Sequence, residues 1–92
     1  MALLSDSEVQ EKLTRLDGWE LIGEAIAKSF KRGDFVGAVE FVSSLVDPAE
    51  SMNHHPDVSI SWDTVTVTIT SHSEGGLTAA DFELAEKIDG LA

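Results

Sequence analysis

Two adjacent histidines beside a proline are the residues of this sequence best suited to chemistry. His54 and His55 precede Pro56, and carboxylates stand on either side of them at Glu50 and Asp57. Histidine is the side chain that gains and loses a proton most readily near neutral pH. The pair is therefore a candidate site for proton transfer.

The third histidine, His72, follows an alternating apolar run that predicts a hairpin turning near residue 63. In such a hairpin the end of the second strand returns to the start of the first. We therefore expect His72 to lie at the same end of the sheet as the pair. Successive side chains of an extended chain point to opposite faces, so His54 and His55 would diverge unless the turn twists them into one cleft.

Three interpretations of these histidines are open on the residues alone. They could be incidental polar residues near a strand end. They could bind zinc or nickel, which imidazoles and carboxylates favour, although no His-x-His or His-x3-His spacing occurs. They could also perform metal-free general acid–base catalysis, which requires no cofactor. We favour the third interpretation.

The composition narrows the possible partners. The 92 residues predict a single domain spanning 1–92, and 6 basic against 17 acidic residues give a net charge of −11. This charge disfavours binding to nucleic acid or to an anionic membrane surface. There is no cysteine, which excludes thiol chemistry. No signal-like or membrane-spanning segment is evident, so we expect a cytoplasmic protein.

The elements that must position the histidines follow from periodicity and capping signals. We predict an α+β fold in the order α-β-β-α-β-β-α, with a four-stranded antiparallel sheet and helices packed on one face. The first helix begins with a capping-box spacing at Ser5 and Glu8, and Gly23 turns the first hairpin. A central helix over 34–46 ends before Asp47 and has an apolar stripe wide enough to contact a second subunit. The last helix begins at Thr78.

The spacing of the candidate residues resembles a family motif. The resemblance covers nearly the whole chain, including the segment 16–19 and the central helix region. The positions that carry it are Glu50, His54, His55, Pro56, Trp62, His72 and Asp81. This pattern is similar to that of the pterin-4a-carbinolamine dehydratases.

The resemblance implies an activity. Members of this family dehydrate 4a-hydroxytetrahydropterin to quinonoid dihydropterin without metal or cofactor, in the recycling of tetrahydropterin. It implies a small-molecule pterin substrate and a homodimer or homotetramer. It identifies His54, His55 and His72 as catalytic. We expect His54 and His72 to handle protons and His55 to anchor the pterin.

The resemblance also suggests substrate-binding residues, each with a structural alternative. Glu50 could accept hydrogen bonds from the pterin or be an exposed residue at a helix end. Trp19 could stack on the bicyclic ring or lie in the core. Asp81 belongs to the motif, but its distance from Thr78 favours helix capping. For Trp62 we favour core packing.

Two other functions are compatible with this resemblance. Animal relatives also serve as a dimerisation cofactor for a transcription factor, so the chain could be a non-catalytic oligomeric binding module. It could also be a diverged member that serves another pterin or molybdopterin pathway.

Overall fold

The computed structural model describes residues 2–92 and shows an α+β domain, which confirms the predicted class. The strands form one antiparallel sheet in the spatial order Glu20–Ile22, Ala25–Lys31, Thr64–Ile69 and Asp57–Ser61. No helix among the described residues has the length and apolar character that a membrane crossing requires. The elements are α1 (Asp6–Thr14), β1 (Glu20–Ile22), β2 (Ala25–Lys31), α2 (Phe35–Ser44), α3 (Val46–Met52), β3 (Asp57–Ser61), β4 (Thr64–Ile69) and α4 (Ala79–Asp89).

Local capping explains where the helices begin. Ser5 and Glu8 form the predicted capping box at the start of α1, each side chain bonding to the other residue's backbone N–H. Asp34 caps α2 by accepting a hydrogen bond from the Gly37 backbone N–H at 2.7 Å. Thr78 and Asp81 form a second capping box at the start of α4. The capping signals in the sequence are therefore confirmed.

The alternation in β4 divides the sheet into two faces. Val65, Val67 and Ile69 are fully buried, whereas the intervening threonines are only half-buried. Phe30 of β2 pairs with Val65, so both strands contribute to the same apolar face. The core consists of this face together with buried residues of all the helices except α3. The predicted one-sided arrangement is confirmed.

The central helical region differs from the prediction. Instead of one helix ending before Asp47, α2 stops at Ser44 and a second helix, α3, begins at Val46. Pro48 lies within the first turn of α3, where backbone N–H groups have no partner inside the helix, so its missing N–H costs nothing. The extra helix carries Glu50 and delivers the chain to the histidine pair.

Trp62 is not in the core, contrary to our expectation. It occupies a two-residue turn between β3 and β4, because Ser61 pairs directly with Thr64. Its φ angle is +51° and its side chain is 68% exposed. The turn begins one residue earlier than the pattern indicated, so the tryptophan lies in the loop instead of the strand.

Candidate functional site

The end of α3 sets the direction of the histidine pair. Asn53 adopts a left-handed conformation, with φ 49° and ψ 44°, which ends the helix. The His54 backbone N–H then donates to the Ala49 carbonyl at 2.9 Å. Pro56 follows, and the chain enters β3 at Asp57. The pair thus occupies a short, well-bonded connection between a helix and an edge strand.

His54 points inward and is held by a buried carboxylate. Its Nε2 lies 2.6 Å from Oδ1 of Asp81, which is fully buried. The other oxygen, Oδ2, accepts hydrogen bonds from the Thr78 backbone N–H at 2.8 Å and from the Ser71 hydroxyl at 2.9 Å. An ionised carboxylate can only accept hydrogen bonds, so beside ionised Asp81 the Nε2 of His54 is the donor. Its Nδ1 is the ring nitrogen left for a substrate.

His55 points in a different direction. Its Nε2 lies 2.5 Å from Oε2 of Glu50, a residue of α3, and both side chains are more than half exposed. The divergence expected for adjacent residues is therefore present. His55 lies at the rim of the site, whereas His54 lies in its wall.

His72 joins the site from a turn. It begins a 3₁₀ turn, His72–Glu74, that follows β4. Its Nε2 lies 3.7 Å from Oδ2 of Asp57 at the start of β3, an ion-pair distance between two exposed side chains. Because β3 and β4 are paired antiparallel, the end of β4 returns to the start of β3, as the hairpin geometry predicted.

The three histidines line one open cavity of about 430 Å³. A cavity of this size can hold a small bicyclic ligand. A larger concavity of about 510 Å³ lies between α1 and β1, and its lining includes four leucines and three glycines but no histidine. The histidine cavity is lined by Met52, Asn53, His54, His55, Thr70, Ser71, His72, Ser73, Glu74, Thr78 and Ala80.

The other predicted site residues occupy different places. Asp81 and Glu50 are not in the cavity lining, but each forms a hydrogen bond with a histidine that is, Asp81 from the buried side and Glu50 from the exposed rim. Trp19 lies elsewhere, in the core, where its Nε1 donates to Asp89 at 3.0 Å and its ring packs edge-on against Phe30. The structure therefore brings five of the six predicted residues into one cluster and leaves Trp19 outside it.

Ser71 was missed by the sequence reasoning, although a signal for it exists. Residues 65, 67 and 69 point to the buried face, and Ser71 continues that alternation with a polar side chain. A serine at a core-facing position needs a hydrogen-bond partner. Its partners are Asp81 and Thr78, and both Ser71 and Thr78 line the cavity.

The two adjacent histidines do not converge on one point. Within residues 2–92 no group of three or more histidine and carboxylate side chains is arranged to hold a metal ion. His54 and His55 each bind a different carboxylate, and their hydrogen bonds point apart. The arrangement can bind a polar ring and exchange protons with it.

Comparisons with known proteins agree with one another and cover nearly the whole chain. A family model described as Pterin 4 alpha carbinolamine dehydratase matches residues 2–91. A protein of Thermosynechococcus vestitus named "Putative pterin-4-alpha-carbinolamine dehydratase" is 46% identical over 89 residues, covering 97% of this chain and 94% of the relative.

Two solved structures share the fold. A protein described as a transcriptional coactivator/pterin dehydratase from Brucella melitensis superposes with a TM-score of 0.92 at 40% identity, over 97% of both chains. A pterin dehydratase-like protein identified as a RuBisCO assembly factor in the alpha-carboxysome superposes with a TM-score of 0.66 at 21% identity. That match covers 80% of this chain and 86% of the other, and it is a likeness of fold only.

Proposed function

This chain belongs to the pterin 4 alpha carbinolamine dehydratase family, and from that premise we propose that it dehydrates 4a-hydroxytetrahydropterin to quinonoid dihydropterin. One observation carries the proposal: the three histidines line a single cavity, and one of them is held by a buried aspartate. The family supplies the identity of the substrate. The reaction would be a step in recycling the pterin that aromatic amino-acid hydroxylases release.

The reaction matches the chemistry of imidazoles. The bond between carbon 4a and its hydroxyl oxygen breaks, and that oxygen leaves as water after accepting a proton. The ring nitrogen attached to the same carbon loses its proton, and a carbon–nitrogen double bond forms. The dehydration requires no external oxidant or reductant, so one acid and one base suffice.

His54 is the proposed base. Its Nε2–H is committed to Asp81, which leaves Nδ1 free to accept the ring proton, and Asp81 then stabilises the resulting imidazolium. In other enzymes with a histidine base, a carboxylate bonded to the far ring nitrogen likewise orients the ring and stabilises the imidazolium. His72 is the proposed acid. Its exposed position lets it donate to the leaving oxygen and recover a proton from water.

His55 is the proposed anchor. The hydrogen bond to Glu50 fixes its ring at the rim, where it can bind the edge of the pterin. Glu50 is close enough to share that role, because its exposed carboxylate can accept hydrogen bonds from the pterin's amino and ring N–H groups. Substrate binding at the rim and proton transfer deeper inside would then be separate tasks.

The test is a dehydration assay with freshly generated 4a-hydroxytetrahydropterin, monitored by absorbance. The assay compares the wild-type protein with the variants His54→Ala, His55→Ala and His72→Ala. We expect losses in kcat of about 10²–10⁴-fold for His54→Ala and His72→Ala, the usual contribution of general acid–base catalysis. His55→Ala should mainly raise KM. A wild-type rate equal to the uncatalysed background would refute the proposed enzyme.

A chelator provides an independent arm of the same assay. Activity should survive EDTA, because the proposed steps use only side chains. Loss of activity with EDTA and recovery with zinc would refute the metal-free mechanism and favour a metal site.

We also propose that the protein forms a homodimer or homotetramer through α2. Its outer side exposes apolar residues that the monomer does not bury, and it packs beside β3, whose apolar residues are also exposed. Exposed apolar surface of this kind marks interaction sites. The residues concerned are Phe35, Val36 and Val39 of α2, Val58 and Ile60 of β3, and Val46 at the start of α3.

The same surface supports a second candidate function, that of a binding module. A fold relative is described as a RuBisCO assembly factor, so the fold can serve assembly. The dehydration assay separates the two functions, because a pure binding module would give no rate above background.

A further inference from the structure

The hydroxyl group of Ser71 lies at the centre of a buried hydrogen-bond network. Its Oγ donates to Oδ2 of Asp81 at 2.9 Å and lies 3.0 Å from Oγ1 of Thr78. All three residues are buried, with exposed fractions of 6% or less. Since the Ser71 proton goes to Asp81, the Thr78 hydroxyl donates to Ser71.

The backbone of Ser71 closes the turn that carries His72. Its carbonyl accepts from the Glu74 and Gly75 N–H groups, each at 3.0 Å, and its own N–H donates to the Gly76 carbonyl at 3.2 Å. Ser71 and Gly76 form an isolated antiparallel bridge. The turn with His72 is therefore a small closed loop whose base is Ser71.

We propose that Ser71 is a positioning residue that fixes the orientation of His54 and the position of His72 at the same time. Its side chain holds the carboxylate that orients His54, and the same bonds tie the base of the His72 turn to the start of α4. The effect of Ser71 on catalysis rests on the proposed function. The hydrogen bonds themselves do not depend on the substrate.

The loss of the hydroxyl would affect both histidines through different contacts. Asp81 Oδ2 would keep only the Thr78 backbone donor, so its carboxylate could turn away from His54. The turn would keep its internal backbone bonds but lose its side-chain link to α4. Buried polar groups left without partners are costly, so the network would rearrange instead of remaining in place.

The experiment compares Ser71→Ala with the control Ser29→Ala. Ser29 lies on the opposite face of the sheet, and its hydroxyl also bonds to one hydroxyl, that of Thr66, at 3.1 Å. Both variants therefore remove one serine hydroxyl, but Ser29→Ala loses only an exposed bond to another hydroxyl and leaves Asp81 untouched. Nitrogen-15 NMR of the three histidine rings, assigned with single His→Gln variants, reports tautomer and environment without substrate.

We expect Ser71→Ala to mix the tautomers of His54 and to shift the ring signals of His72. We expect kcat to fall at least tenfold, with KM within twofold of the wild-type value. Ser29→Ala should leave the ring signals and both kinetic parameters unchanged. Ser71→Cys, which keeps the size and a weak donor, should be intermediate, and it replaces Ser71→Ala if the alanine variant does not fold.

Wild-type ring signals and wild-type kcat in Ser71→Ala would overturn the proposal. So would a variant that changes only His54 or only His72, because the proposal requires both. Failure of the wild-type protein to catalyse dehydration would refute the proposed function instead, and the ring signals would still decide the role of Ser71.

Discussion

Nε2 of His54 lies 2.6 Å from Oδ1 of Asp81, a carboxylate with no solvent exposure and two further donors on its second oxygen. Both of its oxygens are bonded to protein groups, and neither is exposed to solvent. It can therefore act on the substrate only through His54. This relationship separates Asp81 from the residues proposed to bind the substrate, although the motif includes both kinds.

Asp81→Asn should lower kcat by about 10²–10⁴-fold with little change in KM. The asparagine oxygen would face its two donors and its amide NH₂ would face His54, which forces the ring to accept at Nε2 and protonates Nδ1. The proposed base would then be in the wrong tautomer. The control is Asp89→Asn on the same helix, which should retain kcat. An active Asp81→Asn variant would contradict the base assignment.

Glu50→Gln should raise KM by about two- to fivefold and leave kcat unchanged. The bond to His55 is exposed to solvent, and exposed ion pairs contribute little energy, so only a modest effect on binding is expected. Steady-state kinetics separate the two parameters, with the exposed Glu40→Gln on α2 as the control. A large loss in kcat would instead assign proton transfer to His55.

Trp19→Phe should leave kcat and KM unchanged while lowering the free energy of unfolding by about 1–3 kcal/mol. The variant loses the hydrogen bond to Asp89 and leaves space beside Phe30. Asp89 retains its ion pair with Lys28 at 2.9 Å. Urea unfolding measures the stability. A raised KM with unchanged stability would restore the stacking role that the family resemblance suggested for Trp19.

Val36→Glu should convert the proposed oligomer into a monomer. Val36 is 62% exposed on the outer side of α2, so the substitution is tolerated in a monomer but adds a charge to the proposed interface. Ile22→Glu is a matched control, because Ile22 is 58% exposed but lies on β1 at the other edge of the sheet. Sedimentation velocity gives the result. A wild-type monomer would refute the oligomer.

The capping box of α1 should contribute stability that acid removes. Hydrogen bonds from the Ser5 backbone N–H and then from its side chain lower the pKa of Glu8 below its ordinary value. A group with a lowered folded-state pKa stabilises the protein fully above its unfolded-state pKa and loses that effect as pH falls through the folded-state pKa. The free energies of unfolding of the wild type and of Glu8→Gln should therefore become equal as the pH falls through the folded-state pKa of Glu8. A constant difference would contradict the role of the charge, and Glu83→Gln controls for the loss of one carboxylate.

Much of the fold follows from signals that are local in sequence. The capping boxes at Ser5 and Thr78 and the alternation of Val65, Val67 and Ile69 each depend on neighbouring residues, and all appear as predicted. The end of α2 does not follow in this way. The pattern around Pro48 is compatible with either a stop or the first turn of a new helix, and tertiary packing of α3 against α4 favours the helix.

The convergence of the three histidines was predictable from the sequence, whereas their hydrogen-bond partners and the part played by Ser71 were not. Hairpin pairing brings His72 to the start of β3, and that follows from strand periodicity. The partners of His54 and His55 depend on the left-handed turn at Asn53, which no spacing rule indicates. Trp19 illustrates the reverse case, because a family motif cannot distinguish a residue that touches the ligand from one that supports the core.

The contrast between the two tryptophans gives the chain a pair of intrinsic optical reporters. Trp19 is 6% exposed in the core, whereas Trp62 is 68% exposed at the tip of the β3–β4 turn. The emission of Trp19 therefore reports the integrity of the core, and a neutral quencher reaches Trp62 first. Unfolding and surface coverage can thus be followed separately in the unlabelled protein.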